Sequence, residues 1–260
     1  MITKKAICIG SNYTHHDREL QGGVGDAEAF AIMLEKNGYD VVRLLGGKAT
    51  RTNILTALTV AIASMRGDHQ LVVTFSGYGT WVPEVNRDSE GVMRVRAICP
   101  DDYDDSQAIT GKDLKDLFLV APKRSRVLFI DDSAHENAKA TSLVGSVSPD
   151  KLKYAPATPP PGSILSNKSM SSLESAVPLS KWDVGAPVIS GGVDGRSVHE
   201  RRTGLVTSGI LSSVAIRTHT PGIRLAAWER NMTERLFAEG GYQIPELTTG
   251  NWLERFRKAL

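Results

Sequence analysis

Two short stretches of this chain carry residue types placed as an acyl-transfer site would need them. The first is Ser76-Gly77-Tyr78-Gly79, directly after the apolar run Leu71-Val72-Val73-Thr74-Phe75. The second is Asp132-Ser133-Ala134-His135, which follows Val127-Leu128-Phe129-Ile130-Asp131. A hydroxyl and an imidazole two positions apart, beside a carboxylate, supply a nucleophile, a general base and an orienting group. A polar turn has plainer uses for the same residues. Ser133 can bond to nearby backbone, His135 can open the next element, and an Asp at a strand end commonly caps a turn. Cys8 and Cys99 both lie on apolar runs and read as small buried side chains rather than nucleophiles.

The elements that hold these stretches follow from the hydrophobic pattern. Ala6–Gly10, Tyr39–Leu45, Val72–Phe75 and Val127–Ile130 are short apolar runs bounded by turn residues, as fully buried strands are, and Ala186–Gly192 resumes the pattern. Between them lie helical periods. Asp26 is the expected N-cap of a helix with Ala27, Phe30, Ala31 and Leu34 on one face. A second helix runs from Ala49 through Leu55, Leu58, Ile62 and Met65, and a third covers Ile109–Leu119. Pro83–Arg96 reads as a long polar loop, Gly204–Leu211 as the start of a helix, and a further helix is expected around Ile223–Phe237. A terminal helix is expected to carry Trp252, Phe256 and Leu260 at a spacing of four, packed on its own domain or free to dock. Alternating strands and helices predict a mainly parallel sheet covered on both faces, with its chemistry at the carboxyl ends of the strands.

Composition narrows the function. The chain has 260 residues, 41% of them hydrophobic and 23% charged, enough for a sizeable core. Its net charge of +2, with no block of like charges, falls short of a nucleic-acid footprint. Two cysteines exclude a disulfide framework and fit a reducing compartment. No apolar stretch has the length of a membrane span, and the first apolar run is too short for a signal peptide. Gly46-Gly47-Lys48-Ala49-Thr50 hints at a phosphate loop, but that motif needs glycine where Val42 stands. The Pro-rich run 155–163 and the Ser-rich run 166–175 read as connecting chain.

Written as S-G-x-G and D-S-x-H, the two opening stretches resemble the S-G-H-G and D-[SC]-C-H of the caspase-like cysteine peptidases (peptidase C14), above all the metacaspases and their bacterial relatives. Other stretches agree in order. Ala6–Tyr13 resembles A-L-x-I-G-x-N-Y, Leu20–Ala27 resembles L-x-G-x-x-N-D-A with Gly25 in place of Asn, Ala49–Ile54 matches A-T-x-x-N-I, and Ala97–Asp102 resembles A-L-x-P-x-D. The resemblance implies an α/β, three-layer caspase-like fold with about six strands. It implies one domain over residues 1–260, made of a large-subunit-like part (1–140), a Pro/Ser-rich connecting loop (141–181) and a small-subunit-like part (182–260).

In that family the general base and the nucleophile fall at the positions held here by Tyr78 and Ala134. A methyl group cannot attack a carbonyl, and a phenol titrating near ~10 is a poor base at neutral pH. The resemblance therefore implies a protein without peptidase activity, acting as a binding, scaffolding or structural subunit. Its partner is expected to be another protein or a further copy of itself, through an edge strand of the carboxyl part, with no nucleic acid and no membrane. Its place is expected to be the cytoplasm or an intracellular or viral assembly. Asp132, which the resemblance makes the acceptor of a basic side chain, is the expected binding residue, with Ser133, His135, Ser76, Gly77 and Gly79 around it. No cofactor is expected, although some metacaspases bind calcium, for which Asp88, Asp101 and Asp102, with Asp104 and Asp105, offer hard oxygen ligands. Their spacing is irregular, and a solvated acidic turn is the plainer reading. Two alternatives stay open. One is an active hydrolase built on Ser133, His135 and Asp132. The other is an Arg/Lys-specific cysteine peptidase inactivated by a Cys-to-Ala substitution.

Overall fold

Strands form where the apolar runs are unbroken, and helices where the apolar residues recur every three or four positions. The computed structural model describes residues 3–15, 19–86, 91–103, 108–135, 151–153, 155, 177, 179–180, 182–191, 199–203, 206–239 and 245–249. In chain order the elements are β1 (Lys4–Gly10), α1 (Gly23–Lys36), β2 (Asp40–Leu45), α2 (Arg51–Ala63), β3 (Gln70–Ser76), β4 (Gly79–Asn86), β5 (Gly91–Ile98), β6 (Ile109–Thr110), α3 (Gly111–Phe118), β7 (Arg126–Asp132) and β8 (Lys151–Leu152). They continue with β9 (Val188–Ser190), β10 (His199–Thr203), β11 (Val206–Gly209), α4 (Ile210–Thr218), α5 (Leu225–Ala238) and β12 (Glu246–Thr248).

Six strands form the main sheet in the order β12-β9-β7-β3-β1-β2. All neighbours are parallel except β12, which runs antiparallel to β9 at the edge. Strands from both sides of the connecting chain thus share one sheet. Every residue of β3 is buried, as a central parallel strand covered on both faces must be. Alternate side chains feed two cores. Ala6, Cys8, Val72, Leu128 and Ile130 meet α1, α4 and α5 through Phe30, Leu34, Val214, Trp228 and Met232. Ile7, Ile9, Val73, Phe75 and Phe129 meet α2 and α3 through Ile54, Leu58, Ile62, Leu114 and Phe118. No helix among the described residues is long and apolar enough to cross a membrane.

The structure corrects four local expectations. Helix α1 starts at Gly23 after an N-cap at Gly22, so Asp26 lies buried in the first turn instead of capping it. The early start depends on close backbone contact: a Cβ on Gly10 would overlap Gly23 O and lie 2.7 Å from Ala27 Cβ. Pro83–Arg96 is no loop but most of the hairpin β4–β5, paired from Gly79↔Ile98 to Asn86↔Gly91. Its charged residues disguised it, because Arg94 and Arg96 are buried and donate to the carbonyls of Val177 and Ser180. Ile109 and Thr110 form β6 before α3, whose capping box joins Thr110 and Asp113. Val206–Gly209 is strand β11, and the helix begins only at Ile210. The expected terminal helix with Trp252, Phe256 and Leu260 lies outside the described residues.

Gly10→Ala should lower stability by roughly 1–3 kcal/mol, the usual cost of overpacking a filled contact. Thermal unfolding of the variant beside the wild-type chain measures it.

Candidate functional site

The carboxyl ends of β3 and β7 lie side by side, with Ser76 opposite Asp132. Strand alternation then decides where each acid goes. Asp131 follows Phe129 onto the face covered by α2 and α3, and Asp132 follows Ile130 onto the face covered by α1 and α4. The expected grouping of Asp132 with Ser133 and His135 is therefore split into two sites, one on each face of the sheet.

On the first face Asp132 is fully buried. Its Oδ2 accepts from Ser212 N at 3.0 Å and Ser212 Oγ at 2.5 Å, while Oδ1 takes no hydrogen bond among the described residues. The cation that the sequence reading reserved for a partner is supplied by the chain itself. Lys153 is fully buried, its Nζ 3.2 Å from Asp132 Oδ2 and 3.2 Å from Asp26 Oδ2, and it donates to Ser76 Oγ at 2.6 Å. Asp26 Oδ2 also accepts from Ser76 Oγ at 2.6 Å and Gly209 N at 2.8 Å. Burial pushes the Asp26 carboxyl up to about 6, against the pull of the Lys153 ammonium and with the help of the Asp132 charge.

The backbone of the same segment lies across both strand ends. Lys153 O accepts from Gly79 N at 3.1 Å and Ala134 N at 2.9 Å, and Ala155 N donates to Gly79 O at 2.9 Å. Just before it, β8 pairs antiparallel with β10, Leu152 opposite His199 and Lys151 opposite Glu200. Two amides converging on one carbonyl oxygen are the arrangement that holds a developing oxyanion in acyl transfer. Here an internal peptide carbonyl fills it. A Cβ on Gly79 would overlap Ala134 O, so the two ends approach as closely as backbone allows.

On the second face His135 Nδ1 lies 3.1 Å from both Thr80 O and Ala97 O. Carbonyls only accept, so this nitrogen carries a proton. His135 Nε2 is 2.8 Å from Asp131 Oδ2, which also accepts from Trp182 Nε1 at 2.8 Å. Ser133 Oγ donates to Asp131 Oδ1 at 2.7 Å and stands 3.4 Å from His135 Nε2. Its proton is directed at a carboxylate, not at an imidazole base. All four side chains are buried, and the network ties the end of β7 to the β4–β5 hairpin and to Trp182.

Between the faces Ala134 is 2% exposed, and Tyr78 is buried with its ring stacked on Tyr13 at 4.5 Å. Tyr13 Oη accepts from Tyr78 N at 2.8 Å and donates to Cys99 O at 2.6 Å, and burial raises its phenol well above the usual range. Tyr13 has φ 53°, a left-handed conformation that a tyrosine adopts only under constraint. A Cβ on Gly77 would lie 2.5 Å from that Oη, which accounts for the glycine.

Of the residues considered for calcium, Asp101 accepts from Ser11 Oγ, and Asp102 Oδ1 accepts from Arg51 N at 2.8 Å at the start of α2. Asp88, Asp104 and Asp105 lie outside the described residues. No three metal-ligating side chains gather among the described ones.

Sequence reasoning missed Lys153, Asp131, Trp182 and Ser212 and misjudged Asp26. Asp26 had a signal in the Leu20–Ala27 stretch. Lys153 had none, because it lies in chain read as a connecting loop.

A six-stranded, mostly parallel sheet between two helical layers, with polar networks buried at the ends of β3 and β7, defines a caspase-like α/β protein. The family profile of the metacaspase, peptidase C14 domain matches residues 4–141, more than half of the chain, and the chain belongs to that family. Metacaspase-6 of Arabidopsis thaliana is 31% identical over 143 residues, covering 52% of this chain and 38% of the relative. Metacaspase-4 of the same plant is 30% identical over 143 residues (52% and 34%), and Metacaspase-1 of Cryptococcus neoformans is 30% identical over 144 residues (51% and 31%). The matched part of the chain thus spans about a third of the length of these relatives. Among solved structures, protein GSU0716 from Geobacter sulfurreducens shares the fold with a TM-score of 0.69 at 19% identity, over 99% of this chain and 97% of that one.

Two outcomes follow from the buried cluster. Lys153→Met should cost about 3–5 kcal/mol, since it leaves two buried carboxylates without their cation. Urea unfolding would show it. Because the folded-state pKa of Asp26 is raised from 3.8 to about 6, its contribution is fully present below about pH 4 and is lost as pH rises through about 6. Asp26→Asn should flatten that part of the profile of urea midpoint against pH.

Proposed function

We propose that this chain is a catalytically inactive metacaspase-like protein that works by binding, with its cleft occupied by its own segment around Lys153. The observation that carries this reading is the double placement of one residue. Lys153 puts its carbonyl on the amide pair of Gly79 and Ala134 and its ammonium between Asp26 and Asp132. That is how an extended substrate with a basic side chain would lie. Beside it stand Ala134 and Tyr78, at the positions the family resemblance gives to nucleophile and base. Loss of the nucleophile alone removes on the order of a million-fold in comparable triads. The rival hydrolase centred on Ser133 is disfavoured by the direction of its hydroxyl, toward Asp131. Residues 1–140 and 182–260 then act as one body around an internal ligand drawn from the connection between them. With the cleft filled, a protein partner or a second copy would meet outer surfaces of the molecule.

Restoration tests the reading. Tyr78→His with Ala134→Cys should cut its own chain after Lys153, giving fragments 1–153 and 154–260 by intact mass. The unaltered protein should leave Arg and Lys peptide substrates whole. Hydrolysis by the unaltered protein that disappears in Ser133→Ala would establish the hydrolase instead.

A further inference from the structure

Helices α1, α2 and α3 each lead directly into a parallel strand, so the turns after them gather at the amino ends of β2, β3 and β7, the far end of the sheet from the cleft. These turns are joined to one another. Gln70 N donates to Thr3 O and Arg126 N to His69 O, both at 2.9 Å, and Arg124 pairs with Asp68 at 2.9 Å. The resulting rim carries the cations Lys4, Arg66, Lys123, Arg124 and Arg126 against the carboxylates of Asp40 and Asp68. The rim thus has five cations to two carboxylates, one of which, Asp68, holds Arg124 through both oxygens.

Part of this charge has an internal use. Lys4 Nζ donates to Asn37 O and Arg66 Nη1 to Ala63 O and Met65 O, where cations complement the negative ends of α1 and α2. That use does not extend to Lys123 and Arg124, both exposed. It also says nothing about Leu119 and Val120, which are 61% and 70% exposed in the same turn, four residues before those cations. The exposed acid Asp116 precedes the pair by one turn and Lys123 and Arg124 follow it; an exposed apolar pair with cations after it suits an interface that is apolar inside and negatively charged at its surface. An acidic protein segment would satisfy the cations but would need apolar side chains of its own to cover the pair.

We infer that this rim docks on an anionic phospholipid surface, with Leu119 and Val120 entering the headgroup region and Lys123, Arg124 and Arg126 facing the lipid phosphates and carboxylates. Docking is peripheral and reversible, since two apolar side chains and a handful of charges do not anchor a protein permanently. It leaves the cleft end of the sheet facing away from the membrane.

The test is co-sedimentation of the full chain with phosphatidylcholine vesicles, with and without phosphatidylserine, at low and at physiological salt. Binding is expected only with phosphatidylserine and should weaken as salt screens the charges. Each cation near such a surface is worth about fivefold in partitioning, so Lys123→Ala with Arg124→Ala should weaken binding about 25-fold. Val120→Ser should weaken it severalfold. All three side chains are exposed, and unchanged thermal unfolding will confirm that the variants fold. Absence of binding to phosphatidylserine vesicles at low salt overturns the inference, and so does binding that these substitutions leave unaltered. Retention on polyglutamate without retention on vesicles also overturns it, in favour of an acidic protein partner. None of these outcomes bears on the cleft, whose reading is tested by self-cleavage.

Discussion

The Lys153 ammonium, buried between Asp26 and Asp132, is the interaction on which the arrangement of the strand ends depends. Two carboxylates at this depth are strongly penalised unless a cation and fixed donors compensate them. The compensation comes from five separate parts of the chain. Asp26 stands on α1, Ser76 ends β3, Asp132 ends β7, Gly209 and Ser212 bracket the start of α4, and Lys153 arrives from the connection. No pair of these is close in sequence apart from the last residue of β11 and the first turn of α4. The cluster therefore works as a tertiary clamp that forms only when both halves of the sheet and the connecting chain are in place.

The second buried network does similar work by other means. Asp131, His135, Ser133 and Trp182 hold the hairpin and the chain before β9 against the end of β7 through hydrogen bonds that converge on one carboxylate. Side chains whose types suggested a reacting centre are spent on joining elements. Hydroxyl, imidazole and carboxylate are all present, yet the hydroxyl proton is committed to the carboxylate and one imidazole nitrogen to backbone carbonyls. Chemistry depends on which lone pair faces which proton, and residue type alone does not settle that.

Much of the fold was legible because its strands are buried on both faces and therefore read as unbroken apolar runs, and because Phe30, Leu34, Leu58 and Ile62 repeat with helical spacing. The hairpin β4–β5 was illegible for a physical reason: Arg94 and Arg96 occupy interior positions that sequence patterns assign to apolar side chains, and it is distant carbonyls that make them tolerable there. At the site, the structure has Ser76 and Asp132 as the last residues of β3 and β7, where the apolar runs stop in sequence. The split between Asp131 and Asp132 follows from strand alternation alone. Lys153 was beyond reach, since a lysine in polar connecting chain carries no sign of burial until its two acids are brought together by folding.

Gly209 adds a different kind of constraint. Its φ of −61° and ψ of 137° are open to any residue, so conformation does not demand glycine there. Space does: a Cβ at this position would overlap Asp132 Oδ2 and Lys153 Nζ and lie 2.8 Å from Asp26 Oδ2. Three charged groups converge on a volume smaller than one methyl group. A wedge of that size, introduced without altering a single charge, would separate the ammonium from its acids and admit water between them. The buried cluster is thus as sensitive to one added carbon as to the loss of an ion.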